Sequence, residues 1–381
     1  MKGEEVVTSQ PDIETYCVEG TERALSLGNR GPLCFESNGD VDAEILQTYH
    51  DIGFYVFENA ISHSEIDEIR TEFNHVLSRA PVDSKATVDA NGSPAIDQEF
   101  KYRSFQYAKP LSDPYGGTDA ANGRYEAKMS EPSPAKDAPA ETIFFISGMC
   151  QLMDSCLRHY GNPRLLKVAE ALNGPDFTPF TDGIWIKEPE LGTSVAWHQD
   201  GTTLWQRPDW HEDIHGFNFM TQLYDTTAEN ALWVVPGSHK LGKIDIRKRI
   251  ADAGTDRLEE AVPMLCNAGD VAICNRQVLH GSFANTSSQR RVTVVHGFHI
   301  RSSVRGAVTS FPGGTSTRYD EERIHRSSRL IPLAIDARRQ YYTEEQPYVY
   351  EPLDHEIEEN RFNHETRDTL LKNYNMYALG L

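Results

Sequence analysis

Trp197-His198-Gln199-Asp200 and Leu279-His280-Gly281-Ser282 are the stretches whose reading decides the fold. In an extended segment, residues i and i+2 point the same way. His198 and Asp200 can therefore present an imidazole and a carboxylate to one point. A third donor must come from another strand, and His280 ends an apolar run ready to supply it. The surrounding text is β in character from residue 178. Short apolar runs alternate with turns at Gly183–Ile186, Phe217–Tyr224, Ala231–Val235, Val271–Cys274 and Val292–Ile300. Strands at such spacing suggest a sandwich or barrel.

Upstream, the periods are helical. Ala43, Ile45, Leu46 and Tyr49 follow a helical spacing, with Asp40 or Asp42 as N-cap. Gly53–Phe57 reads as a short strand. Ser62 or Ser64 caps a second helix carrying Ile66, Ile69, Phe73, Val76 and Leu77. Residues 80–142 are polar and rich in Pro, Gly, Ala and Asp, and a loop of that length is usually a lid or disordered. A further helix is expected over about 144–172, broken near Gly161-Asn162-Pro163. Residues 364–378 read as a last helix. The expected layout is one domain: an N-terminal arm (1–41), a helical flank with an irregular loop (42–177), a β core (178–305) and a C-terminal extension (306–381).

Composition narrows the partners. A formal net charge of −20 repels nucleic-acid phosphates and anionic membranes, so neither is an expected partner. The six cysteines form no C-x-x-C pair and fit free thiols in a reducing, cytoplasmic setting. Met1-Lys2-Gly3-Glu4-Glu5 leads into a mostly polar stretch, which predicts no signal peptide. No run of about 18 apolar residues predicts a membrane span. The Tyr-rich tail is a candidate surface for pairing subunits into a homodimer.

Two His and one carboxylate on one face of an octahedron leave three sites open, the facial triad of non-haem Fe(II) oxygenases. Two open sites suit a chelating keto acid, and the third suits O2. In a chain with 14 histidines an H-x-D triplet arises by chance, so its neighbours decide. Arg290 and Arg291 follow His280 on the next strand, and an arginine there can grip a distal carboxylate with a bidentate fork.

With these segments in this order, the chain resembles the phytanoyl-CoA dioxygenase family of Fe(II)/2-oxoglutarate oxygenases. Asp51–Phe57 is similar to the family's entry strand. Trp197–Asp200 matches its W-H-Q-D. Asn230–His239 matches its N-G-x-L-x-V-x-P-G-S-H segment, with Ala231 where Gly is usual. Asn275–Arg291 matches the stretch carrying the distal His and the cosubstrate Arg. The resemblance covers roughly residues 42–300 with gaps. It implies a mainly β fold with flanking helices, built on a double-stranded β-helix (jelly-roll, cupin-like) core. It implies Fe(II) on His198, Asp200 and His280, and 2-oxoglutarate on Arg291 and Ser282, the spacing from the His selecting Arg291 over Arg290. Gln199 joins the cosubstrate group by ordering the iron face. A Lys that the family uses ahead of the iron motif has no assignable counterpart here.

The implied activity is hydroxylation of an unactivated C–H in a small organic molecule, consuming O2 and releasing succinate and CO2, with ascorbate as reductant in vitro. Asp200 argues against halogenation, since related halogenases lack the carboxylate. The same centre also serves desaturases, epoxidases and ring-forming oxidases, and a non-catalytic metal-binding jelly roll remains a different class of answer. His211-Glu212-Asp213-Ile214-His215 spells the zinc pattern H-E-x-x-H, but Pro208 and Gly216 leave room for barely two helical turns. The run opening at His215 is a candidate substrate contact. His296, on the last core strand, is a satisfied core histidine or a pocket residue.

Overall fold

The computed structural model describes residues 12–310 and 316–374. The polar opening Met1–Glu5 and positions 375–378 of the expected last helix lie outside the described residues. Twelve strands make two sheets: β1 (Arg30–Gly31), β2 (Phe54–Phe57), β3 (Phe105–Ala108), β4 (Thr142–Ser147), β5 (Phe177–Lys187), β6 (Val195–His198), β7 (Phe217–Gln222), β8 (Trp233–Val234), β9 (Val262–Pro263), β10 (Val271–Asn275), β11 (His280–Ser282) and β12 (Arg291–Ile300). The larger sheet runs β1-β2-β10-β7-β12-β5-β4-β3, the smaller β6-β11-β8-β9. From β5 to β12 the chain passes between the sheets at almost every step, with the β8–β9 pair as the turn-round. That winding is the double-stranded β-helix, closed so that its central strands have no free edges.

The strands read as continuous apolar runs because both faces are covered. Val292, Val294 and Phe298 of β12 pack outward with Val271 and Ile273 of β10 in the main core cluster. Helices lie over that face: α2 (Ala43–Ile52), α3 (His63–Ser78), and those at Asp154–Tyr160, Pro163–Asn173 and Leu330–Tyr341. Asp42 caps α2 by accepting from the Glu44 amide, and Ser62 caps α3 by accepting from the Glu65 amide, as the pattern predicts. Gly53 ends α2 at φ 93°, where a side chain would also strike Val278.

The structure departs from the sequence reading in several segments: Phe105–Ala108, inside the expected irregular loop, is an edge strand of the larger sheet, the last helix ends at Leu371, and two further cases show the physical reason. The first forty residues contain α1 (Ile13–Ser26), which buries only Tyr16, Cys17 and Gly20. Tyr16 stacks on Trp233 at 4.4 Å, and its hydroxyl donates to the Leu258 carbonyl at 2.8 Å. So narrow an apolar stripe leaves little periodic signal. Likewise Thr142–Ser147 is a strand where a helix was expected. Its burial alternates residue by residue, the period of two that marks a half-buried strand. The helical run starts only at Met149.

Among the described residues no helix is long and apolar enough to cross a membrane, and the six cysteines are unpaired. The C-terminal segment is tied down through Asp182 on β5. This carboxylate accepts from the Met149 amide at 3.0 Å and from the Tyr374 hydroxyl. Burial pushes its pKa up to about 6, against hydrogen bonds that pull the other way. A folded-state pKa above the unfolded one means that the protonated form favours folding. The stability of the native protein relative to Asp182→Asn should therefore fall as pH rises from about 4 to about 6 and level off above, which denaturant titrations across that range would read.

Candidate metal centre and anion pocket

The antiparallel pairing of β6 with β11 sets His198 directly opposite His280. Their rings lie 4.1 Å apart between centroids. Each Nδ1 bonds a main-chain carbonyl two residues back, His198 to Ala196 and His280 to Val278, both at 2.8 Å. That bond puts the proton on Nδ1 and leaves each Nε2 with a free lone pair. Asp200 follows at the strand end, its amide donating to the Arg276 carbonyl at 2.7 Å. Gly201 then turns the chain at φ 90°, where a Cβ would overlap the His215 ring. No other residue could make that turn so close to the histidine.

The three donor atoms lie within 4.8 Å of one another. His198 Nε2 stands 3.6 Å from Asp200 Oδ1. The other carboxylate oxygen, Oδ2, accepts from Asn218 Nδ2 at 3.0 Å and faces Arg276 Nε at 3.6 Å. Oδ2 is thus held by Asn218, while Oδ1 faces His198 and accepts from Arg124 Nη1. Burial holds both imidazoles below their usual pKa and so neutral. Burial would raise Asp200, but Arg124 and Arg276 overcome it and hold the carboxyl well below the usual range. Two neutral imidazoles and one ionised carboxylate form a donor set that fits Fe(II) or a similar divalent ion.

Next to β11 lies a second group of buried polar side chains, Arg291, Lys187 and Ser282. Arg291, on β12, is 4 % exposed; its Nη1 donates to the Asn230 carbonyl at 2.8 Å, and its Nε has no partner. Burial pulls its pKa down to about 10. Lys187 sits directly across from it in the β5–β12 register. Its Nζ donates to the Phe283 carbonyl at 2.6 Å and to that of Thr193. Burial, and then the Arg291 charge, hold Lys187 well below the usual lysine range. Neither cation forms an ion pair among the described residues. The Ser282 hydroxyl, fully buried, also lacks a partner. A buried guanidinium, a buried amine and an idle hydroxyl together favour an anion that would complete them.

Arg290 faces the other way. It pairs with Glu188 at 2.8 Å, as strand alternation requires of the neighbour of an inward residue. The Gln199 amide is spent on main chain: it donates to Gly242 and Gln277 and accepts from Ile244. It braces the strand that carries His198 and has no group left for a cosubstrate.

Sequence reasoning missed Lys187, Arg124, Tyr125, Asn218 and Arg276. Arg124 comes from within the irregular loop and donates to Asp200 Oδ1 at 2.7 Å. The Tyr125 ring lies 4.6 Å from that of His198. A lysine closing the apolar run Ile184-Trp185-Ile186 was the one available signal.

The H-E-x-x-H stretch is a series of turns. His215 Nδ1 bonds Gln277 at 2.6 Å while His211 Nδ1 accepts from the Asp213 amide, so the two rings serve different partners. Among the described residues, His198, Asp200 and His280 are the group of three that could hold a metal. His296 lies outside the barrel among Tyr160, Phe219 and His159, away from the pocket.

Comparison with known proteins agrees with the motif order. The family described as phytanoyl-CoA dioxygenase (PhyH) matches residues 49–293. A phytanoyl-CoA dioxygenase 1 of Oryza sativa subsp. japonica is 33% identical over 186 residues, 40% of this chain and 64% of that protein. The chain thus spans just under two thirds of that relative's length. An L-proline trans-4-hydroxylase of Streptomyces griseoviridis is 24% identical over 193 residues, 44% of this chain and 72% of that protein. The crystal structure of EctD from S. alaskensis with bound Fe aligns with TM-score 0.47 at 18% identity, covering 71% of this chain and 81% of that one.

If the pocket is completed by a dicarboxylate, Arg291→Met should weaken 2-oxoglutarate binding at least tenfold, the loss of charge-assisted bonds of ~1.5–3 kcal/mol. Lys187→Met should weaken it less. Calorimetric titration of the Mn(II)-loaded protein would measure both.

Proposed function

The chain belongs to the phytanoyl-CoA dioxygenase family, and from that premise we propose that it is a non-haem Fe(II)- and 2-oxoglutarate-dependent dioxygenase acting on a small organic molecule. The observation that carries this reading is the meeting of one donor atom each from His198, Asp200 and His280 within 4.8 Å of one another. Fe(II) on those atoms, with 2-oxoglutarate and O2, supplies an oxidative decarboxylation to succinate and CO2 that is coupled to oxidation of a substrate C–H.

The chain's own residues bind, orient and shield. The carbonyls of Ala196 and Val278 fix the two ring planes, and Asn218 fixes the carboxylate. Arg291 receives the distal carboxylate of 2-oxoglutarate as a fork, with Lys187 behind it and Ser282 Oγ as a further donor. Tyr125 against His198, with Tyr115 stacked behind it at 5.0 Å, keeps water from that side of the centre.

Hydroxylation is the favoured outcome. Asp200 fills a ligand position that a halide would need to take, and one relative is named as a hydroxylase. The six unpaired thiols favour a reducing compartment.

Purified protein given Fe(II), ascorbate and 2-oxoglutarate in air should release succinate, slowly without substrate. His198→Ala, Asp200→Ala and His280→Ala should each lower that release by at least a hundredfold. Succinate at background in the unaltered protein, or undiminished in the three variants, would defeat the proposal.

A further inference from the structure

His215 carries a bare hydrogen-bond acceptor beside the centre. Its Nδ1 lies 2.6 Å from Gln277 Oε1. The Gln277 amide is turned that way because its Nε2 donates to the His211 carbonyl at 3.2 Å. Gln277 Oε1 therefore accepts, and the His215 proton sits on Nδ1. Burial pulls the His215 pKa down to about 3, so no second proton joins it. Nε2 is left as a lone pair without a partner, on a side chain that is fully buried. Buried polar atoms are nearly always paired, and an idle one loses its hydration for nothing.

The surroundings put that lone pair next to the metal site. The ring packs on Gly201, the residue after Asp200, so closely that a Cβ there would fall 2.5 Å from Nε2. Gly201 and Gln199, which flank Asp200 in the chain, line a mouth together with Thr202, Trp205 and Lys243. The Trp205 ring lies 4.4 Å from the His215 ring and covers it on the side of that mouth. The cover is light. Residues 201–216 are turns and bends, and the Trp205 indole is tied within its own turn, to the Gly201 carbonyl at 2.8 Å. The imidazole, by contrast, is braced from behind. The Gln277 amide donates to Asn275 Oδ1 at 2.9 Å, and Asn275 Nδ2 donates to Asp213 Oδ1 at 2.9 Å. Bracing of this kind fixes the tautomer and aims Nε2.

We propose that His215 determines substrate specificity: its Nε2 accepts a hydrogen bond from a substrate O–H or N–H, once Trp205 turns aside onto the substrate's apolar part. The inference rests on the dioxygenase reading above and names the substrate class for the same centre. Because His215 packs on the chain neighbour of a metal ligand, the donor group lies only a few bonds from the carbon oxidised. A site built to receive a donor rejects an analogue that lacks it, since the acceptor then stays buried and idle.

Nuclear relaxation tests this with probes of one shape. The protein is loaded with Mn(II) and saturated with 2-oxoglutarate, and relaxation of the ring protons of cyclohexanol, cyclohexylammonium and cyclohexanone is measured. Cyclohexanone has no donor. Cyclohexanol, cyclohexylammonium or both should be relaxed several-fold more strongly than the ketone. Excess with cyclohexanol alone assigns a hydroxyl, and with cyclohexylammonium alone an amine.

His215→Asn keeps an amide donor where Nδ1 stood and removes the acceptor at Nε2. It should abolish the excess while holding Mn(II) and 2-oxoglutarate as the unaltered protein does, which shows the centre intact. His215→Gln, whose amide reaches toward the Nε2 position, should keep part of the excess. Donor probes relaxed no more than cyclohexanone, an excess surviving His215→Asn, or loss of Mn(II) or 2-oxoglutarate from that variant would overturn the inference. Failure of the unaltered protein to hold Mn(II), or retention undiminished by His198→Ala, would instead defeat the dioxygenase reading.

Discussion

One backbone pairing governs the centre: β11 against β6, with His280 opposite His198. The two rings face the same way only because this register holds, and a slip of one residue would turn one imidazole to the far side of its sheet. Much of the fold secures that pairing. β8 flanks β11, pairing Val234 with His280. The Ser238 hydroxyl accepts from the Leu279 amide at 2.8 Å, just before the histidine. Gln199 ties β6 to the carbonyls of Gly242 and Gln277. The barrel matters chemically because it brings strands distant in sequence within bonding reach of one ion.

Charge placement is the second constraint. Several basic side chains are buried near the centre. Arg124 and Arg276 converge on the single carboxylate of Asp200, while Arg291 and Lys187 face one another across two strands. In a low-dielectric interior such groups are tolerable only as receptors for ligands that bring the opposite charge. The imidazoles, held neutral by burial, add none.

The sequence made the centre legible because its ligands sit on short local patterns. His198 and Asp200 share a strand, and His280 closes an apolar run. The choice between Arg290 and Arg291 was harder, since adjacent strand residues look alike in a string. Register distinguishes the two, placing Arg291 opposite Lys187 while Arg290 pairs with Glu188. Arg124 was illegible because it reaches Asp200 from a loop whose path depends on Asp113, which accepts from the Gly116 and Met129 amides, and on Arg247, which donates to the Glu126 carbonyl. No period announces such tertiary bonds. α1 was hidden for a related reason: its three buried residues, Tyr16, Cys17 and Gly20, are too few to form a pattern.

The central claim is that two imidazoles and one carboxylate from the paired strands hold the same ion. X-ray absorption at the iron edge, on protein loaded with Fe(II) under anaerobic conditions, addresses it most directly. The account predicts nitrogen and oxygen donors with scattering from two imidazoles, falling to one when His280 is replaced by alanine. A spectrum without imidazole scattering, or one left unchanged by that replacement, would contradict it.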